Sequence, residues 1–129
     1  MAVTHTTTVR NLFADLLGDT LDSGKIKLRI TGSTADTPST AAATLTLNVA
    51  AFPAASGGVI TAAAITSDTN ATGNASPVAT ATLETSAGTV HIHCAVAASG
   101  SDINMTNGLT VAAGDTVSCS SLTYTALSA

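Results

Sequence analysis

The two histidines His91 and His93 are the first candidates for chemistry in this 129-residue chain. They lie two positions apart in an alternating segment, so a strand would place both imidazoles on one face, where they could bind a metal ion. A zinc site usually needs about three or four ligands. Cys94 would point to the opposite face, and His5 lies in a terminus without predicted structure. We therefore predict that His91 and His93 face solvent or an interface, and we predict no metal site.

Cys94 and Cys119 are the two cysteines of the chain, and both fall on predicted inward faces of strands. A disulfide between them would contribute about 3 kcal/mol but is expected only in an oxidising compartment. The amino terminus has no basic segment followed by an apolar run, so we expect synthesis in the cytoplasm and reduced thiols. Only histidines on the opposite face lie near Cys94, so we predict no catalytic cysteine.

The acidic residues are isolated from one another. Asp68 and Asp102 each precede an asparagine by two positions, which is typical of Asx turns and resembles part of a calcium loop. Neither loop completes a calcium-binding motif, so Asx turns are predicted. Glu84 and Asp115 form no carboxylate pair for acid–base catalysis, and no glycine-rich loop precedes a helix. We predict that the protein is not an enzyme and holds no cofactor.

Composition and charge argue against several classes of protein. Charged residues make up 9% of the chain, the formal net charge is −4, and all four Lys and Arg residues lie within residues 10–29, so nucleic acid is not expected as a partner. No apolar run approaches the roughly 20 residues of a membrane span. Aromatic residues make up 2% and alanine supplies much of the hydrophobic fraction, so the core should be thin and contacts with neighbouring subunits should add stability.

Residues 9–22 are predicted to form an amphipathic helix. Apolar residues recur there at helical spacing and form an apolar stripe of Val9, Leu12, Phe13, Leu16, Leu17 and Leu21. The other side carries three acids that we expect in water, Asp15, Asp19 and Asp22. Thr7 or Thr8 is predicted to cap the helix, and residues 1–8 to form a flexible arm. The apolar stripe covers either the domain's own sheet or a neighbouring subunit, and the pattern alone does not decide between them.

From residue 25 onward the pattern alternates with a period of two, which predicts strands. The predicted strands cover residues 25–30, 44 to near Phe52, 59–65, 78–83, 89–96, 109–112 and 116–125. In the first of them three cations, Lys25, Lys27 and Arg29, share a face that should be solvated or meet an acidic partner. Seven or eight short strands without intervening helices predict an all-β fold, an antiparallel β-sandwich or jelly roll. Residues 9–129 are therefore predicted to form a single domain.

Several segments, taken in order, resemble small virion proteins of tailed bacteriophages. They are RNLFAD at residues 10–15, GKIKLRI at 24–30, ASGGVITAAAITSDTNA at 55–71, SGSDIN at 99–104 and TYT at 123–125. This chain departs from the family pattern in two places. It lacks an aromatic-bearing strand after Ala71, and it has His91, His93 and Cys94 where less reactive residues are expected.

The resemblance implies a β-rich, oligomeric part of the virion. A head decoration (cement) protein is the first expectation, with the major capsid protein or another virion protein as its partner and a homotrimer as its favoured state. The alternative is a structural protein of the tail, collar or head fibre. A host-surface or glycan-binding module is less expected, because sugar sites usually need flat aromatic platforms.

Overall fold

The computed structural model describes residues 3–127, which are mostly β with one amino-terminal helix. The elements are α1 (Thr7–Thr20), β1 (Lys25–Ile30), β2 (Ala41–Thr46), β3 (Val59–Thr61), β4 (Val78–Glu84), β5 (Val90–Ala97), β6 (Ile103–Asn104) and β7 (Thr123–Thr125). The predicted combination of a short helix with a β-rich body is confirmed. Met1 and Ala2, which belong to the predicted flexible arm, and the last two residues lie outside the described residues.

Helix α1 begins two residues earlier than the sequence predicts. The hydroxyl of Thr6 accepts a hydrogen bond of 3.3 Å from the backbone N–H of Val9, so Thr6 is the N-cap, and the predicted cap at Thr7 or Thr8 is wrong. Three consecutive threonines, residues 6–8, offer several alternative caps, and the pattern of apolar residues does not choose among them. The helix ends at Thr20, where Leu21 is the C-cap.

The chain turns sharply between α1 and β1. Ser23 has a positive φ of 55° and leads into Gly24. A Cβ atom at residue 24 would lie 2.1 Å from the carbonyl oxygen of Glu84, so only glycine fits at this position. This close approach brings the start of β1 against the end of β4.

Five strands form one sheet in the order β2-β1-β4-β5-β6, and β3 pairs with β7 in a separate ribbon. All neighbouring pairs are antiparallel except β5 and β6, which are parallel. The sheet is therefore mixed, and the predicted purely antiparallel arrangement is wrong. After Ala97 the chain loops outward and returns beside the same strand, and the N–H of Met105 donates to the carbonyl of Ala97. A two-residue strand such as β6 is too short to show a periodic pattern.

The carboxyl-terminal third contains less strand than its pattern predicts. Residues 109–112 form no strand, although the carbonyls of Leu109 and Val111 accept hydrogen bonds from Val78 and Asn74. Of predicted strand 116–125, only β7 is regular. Most side chains here are small and polar, and within residues 109–125 only Val111 is fully buried, so alternation alone does not select a regular strand.

The apolar core lies on one face of the five-stranded sheet. Its largest buried side chains come from several elements and include Leu21, Ile26, Leu28, Leu45, Ile60 and Leu83. Buried alanines such as Ala42, Ala43 and Ala81 fill the space between them. Because alanine contributes little apolar surface, the core is thin, as the composition predicts.

The opposite face of the sheet holds a buried ion-pair cluster, in which β1 meets the acidic partner that was one of the two predicted alternatives. Arg29 Nη2 lies 3.0 Å from Glu84 Oε1 and Arg29 Nε donates to Thr82 Oγ1 over 2.9 Å. Lys27 Nζ lies 3.0 Å from Glu84 Oε2, without the alignment of a hydrogen bond. Arg29 is 8% exposed and Glu84 is 3% exposed. Lys27 and Arg29 therefore have their acidic partner inside the domain, on the neighbouring strand β4, while Lys25 is exposed.

Candidate functional site

Helix α1 packs on the domain through its small residues. Ala14 and Gly18 are the buried residues of the helix. A Cβ atom at Gly18 would lie 3.1 Å from Ile60 Cδ1 and 3.2 Å from Phe52 Cβ. The absence of a side chain at Gly18 thus allows the helix backbone to approach β3 and the loop before it closely.

Polar side chains then fix the helix in this orientation. Asn11 Oδ1 accepts a hydrogen bond of 2.7 Å from the N–H of Gly58, and Asp15 Oδ1 accepts one of 2.6 Å from the N–H of Ala55. Just beyond the helix, Asp22 Oδ1 accepts one of 2.8 Å from the N–H of Ala51. Asp22 is exposed, as predicted, but Asp15 is half-buried, and both carboxylates accept from backbone N–H groups of the loop that no strand satisfies.

As a result, much of the apolar stripe points away from the domain. Leu12 is 62% exposed, Phe13 is 49% exposed and Leu16 is 69% exposed, and we call these three residues the helix patch. Leu21 alone of the stripe is fully buried, while Val9 and Leu17 are half-buried. The domain's own sheet therefore does not cover the helix patch.

The predicted histidine pair lies on β5. His91 is exposed, and its Nδ1 shares a hydrogen bond of 2.9 Å with Thr20 Oγ1 at the end of α1. His93 lies opposite Thr82, and its Nε2 is buried without a hydrogen-bond partner among the described residues. Within residues 3–127, no three His, Cys, Asp or Glu side chains gather as metal ligands.

Both cysteines are free thiols and half-buried. Burial, followed by the charge of Asp102, raises the pKa of the Cys94 thiol from its ordinary 9.0 to about 11. Its Sγ donates weakly to the carbonyl of Ala81 over 3.6 Å. A thiol with so high a pKa is almost fully protonated at neutral pH and is a poor nucleophile.

The two loop aspartates serve as backbone acceptors. Asp68 Oδ1 accepts from the N–H of Asn70 over 3.0 Å, which confirms the predicted Asx turn, and its Oδ2 accepts from the N–H of Thr44 over 2.9 Å. Asp102 Oδ2 instead accepts from the N–H of Ala95 over 3.0 Å. Both carboxylates therefore accept hydrogen bonds from backbone N–H groups of strands, Asp68 from β2 and Asp102 from β5. These two bonds, unlike the Asx turn, could not be predicted from local spacing, because each joins a loop to a strand that is not adjacent in the local pattern.

A cavity of about 480 Å³ lies between the apolar face of the sheet and the segment 102–123. Its floor is formed by Ile26, Leu28 and Leu45, and its rim is largely Ser, Thr and Asn. Asp102 and Asp115 are the acidic side chains on this wall. Asp102 accepts from Ala95, and Asp115 Oδ2 accepts from the N–H of Ala112 over 2.9 Å. The cavity therefore holds apolar and hydrogen-bonding surface, with both acids engaged by backbone groups.

Comparisons of the chain with protein-family models, with curated proteins and with solved structures gave no match. Within the described part of the chain, α1 falls short of the length and apolar character that crossing a bilayer demands. The helix patch is a group of exposed apolar side chains on a helix that the domain holds in place. Contiguous exposed apolar side chains on a fixed element are typical of contact sites.

Proposed function

We propose that this protein is a structural component of a tailed-bacteriophage particle, a capsid decoration (cement) protein that binds and stabilises the major capsid shell. The observation that carries the proposal is the outward orientation of the helix patch. Burying a leucine or phenylalanine side chain contributes about 1.5–3 kcal/mol, so a partner that covers Leu12, Phe13 and Leu16 gains a substantial part of its binding energy there.

The way in which α1 is held supports a binding role. Ala14 and Gly18 pack the helix closely, and Asn11 and Asp15 tie it to the loop around residues 55–58. The patch is therefore presented on a helix that is already ordered. Preorganisation of this kind reduces the entropy lost on association.

Stabilisation of a shell follows from mass action. A protein that binds only the assembled capsid lowers the free energy of the assembled state by its binding free energy, and many copies add their contributions. On this proposal the chain is made in the host cytoplasm and ends in the virion. The proposal includes a homotrimer and the sandwich or jelly-roll arrangement predicted from the strand spacing. It assigns the protein no catalytic activity.

Rebinding to particles tests the role of the patch. Capsids depleted of this protein are incubated with the wild-type chain or with the double variant Leu12→Gln/Leu16→Gln, and bound protein is measured after sedimentation. Glutamine is nearly as good a helix former as leucine, so the helix should be kept while the apolar surface is lost. We expect the affinity of the variant to fall by at least about tenfold, which corresponds to about 1.4 kcal/mol.

The matched control is Val49→Gln/Leu127→Gln, which removes two equally exposed apolar side chains outside α1. It should bind like the wild type. Equal binding of the wild type and the helix variant would refute the role of the patch. Copy number separates the two structural roles: many copies per particle support decoration, a few support the tail, collar or head fibre, and absence from particles would contradict both.

A further inference from the structure

The dipeptide Asn107-Gly108 lies in the segment that follows β6. Both residues are exposed, and Asn107 forms part of a turn. Gly108 has a φ of 109°, and a Cβ atom there would meet no atom of the surrounding protein within 4 Å. Within residues 3–127, neither the side-chain amide of Asn107 nor the N–H of Gly108 has a hydrogen-bond partner. Two groups that are neighbours along the chain are therefore both free.

A free amide beside a free peptide nitrogen permits a reaction within the chain. The nitrogen attacks the side-chain carbonyl carbon of the preceding asparagine and closes a five-membered ring. Two features oppose the attack: a Cβ atom on the following residue crowds the nitrogen, and a hydrogen bond from its N–H keeps the proton and the orientation of the peptide group. Glycine has no Cβ atom, so the first obstacle is absent. Asparagine is accordingly used sparingly in thermostable proteins.

Three other asparagines are protected by a hydrogen bond of the next residue. The N–H that follows Asn11 belongs to the interior of α1, where it bonds within the helix. The N–H that follows Asn70 donates to the carbonyl of Asp115 over 3.0 Å, and the N–H that follows Asn104 donates to that of Ala97 over 2.8 Å. An attack at any of these asparagines would first break a hydrogen bond of the fold.

Two further asparagines are protected by the side chain of the next residue. Val49 follows Asn48 and Ala75 follows Asn74, so a Cβ atom crowds the attacking nitrogen in both cases. Of the six asparagines in the chain, Asn107 alone precedes a glycine. The N–H after it is also free, so both obstacles are absent at the same place.

We propose that Asn107 is a site of spontaneous deamidation, with the backbone nitrogen of Gly108 as the nucleophile and water as the second reactant. The Gly108 nitrogen loses its proton and bonds to Cγ of Asn107, the bond from Cγ to Nδ2 breaks, and Nδ2 leaves as ammonia. Water then adds to the succinimide. Opening at Cγ gives aspartate in the normal chain, whereas opening at the backbone carbonyl gives isoaspartate, in which the chain runs through Cγ. No oxidant or reductant takes part.

The modification changes the wall of the cavity beside the apolar face of the sheet. Asn107 and Gly108 line that wall together with Asp102 and Asp115. Either product replaces a neutral amide by a carboxylate, which takes the formal net charge of the chain from −4 to −5. A third acidic side chain is thereby added to the rim. The reaction does not rest on the proposed function, because the free chain and water suffice for it.

Incubation of the folded protein in mildly alkaline buffer tests the site. Peptide mapping by mass spectrometry follows the gain in mass from amide to acid at each asparagine, and the same chain unfolded in urea is the reference. We expect Asn107 to react at least about tenfold faster than any other asparagine of the folded protein. Its rate should also lie within about tenfold of the rate in urea, because the fold leaves this turn free.

The variant Asn107→Gln is the matched control. Its side chain is one methylene longer, so the attack has to close a less favourable six-membered ring, while the exposed amide is kept. By ion-exchange chromatography, the wild type should acquire an acidic species with the charge of Asn107→Asp, and Asn107→Gln should not. Circular dichroism checks that all three chains are folded. The proposal is overturned if Asn107 stays intact in the fold while it reacts in urea, if another asparagine reacts first, or if Asn107→Gln acquires the acidic species as fast as the wild type.

Discussion

Strand β1 and helix α1 are both amphipathic, yet they are covered to different extents. β1 buries its apolar side chains Ile26 and Leu28 and, on its charged face, Arg29, whereas the apolar face of α1 is exposed at Leu12 and Leu16. The period of a pattern identifies the residues that share a face. Which face is covered depends on what the neighbouring element offers, and that is a property of the tertiary structure.

The neighbours explain both outcomes. β4 places Glu84 beside β1, so Lys27 and Arg29 have a carboxylate partner where they leave the solvent. β3 and the loop before it present a close-packed surface and free N–H groups, which suit Gly18 and Asp15 better than leucine. A helix with a leucine face and a small polar face can therefore bind its own domain through the second and leave the first for a partner.

The largest effect is expected when the charge of Glu84 is removed. Glu84→Gln keeps the size of the side chain but leaves the buried guanidinium of Arg29 uncompensated, which should lower the free energy of unfolding by about 3–5 kcal/mol. Urea denaturation monitored by circular dichroism measures this change. For comparison, Lys27→Met removes the more exposed cation and should lower it by less than about 1 kcal/mol.

A loss below about 1 kcal/mol for Glu84→Gln would mean that the cluster is effectively solvated, and the contrast between β1 and α1 would disappear. A Lys27→Met variant that is as unstable as Glu84→Gln would show instead that the carboxylate depends on both cations.

The next effect concerns the buried side of α1. Ala14→Leu inserts three heavy atoms at a fully buried position between the helix and the domain, which should destabilise the protein by about 1–3 kcal/mol. Thr8→Leu, at an exposed position of the same helix, is the control and should be close to neutral. Thermal unfolding of both variants checks the prediction. If Ala14→Leu were as stable as Thr8→Leu, the docked face of the helix would have to be a different one.

Local patterns in the sequence were sufficient for α1 and β1 and insufficient for their partners. The alternation in residues 25–30 predicts β1, and the spacing from Val9 to Leu21 predicts α1, because a period depends only on residues close in the chain. The ion pair of Arg29 with Glu84 joins residues 55 positions apart, and no local pattern reports it. The same limit applies to β6, whose two residues pair in parallel with β5.

The candidate surface was partly accessible from sequence. The six apolar residues of α1 indicated a docking face and left open whether that face meets the domain or a neighbour. Ala14 and Gly18 carried the missing signal, since two small residues four apart on one side of a helix permit close backbone packing. The pairing of β3 with β7 was not accessible, because it joins residues more than sixty positions apart in the chain.

The smallest effect is expected at the helix patch itself. Leu12→Gln/Leu16→Gln should change the free energy of unfolding by less than about 0.5 kcal/mol, because both side chains are exposed and glutamine keeps the helix propensity. Urea denaturation of the double variant is compared with that of Leu21→Ala, the buried residue of the same apolar stripe at the C-cap of α1, which should lose about 2–5 kcal/mol. If the double variant lost as much stability as Leu21→Ala, the patch would belong to the core. A neutral result would instead mean that folding does not require these leucines, and that an effect of the same variant on particle binding reports contact alone.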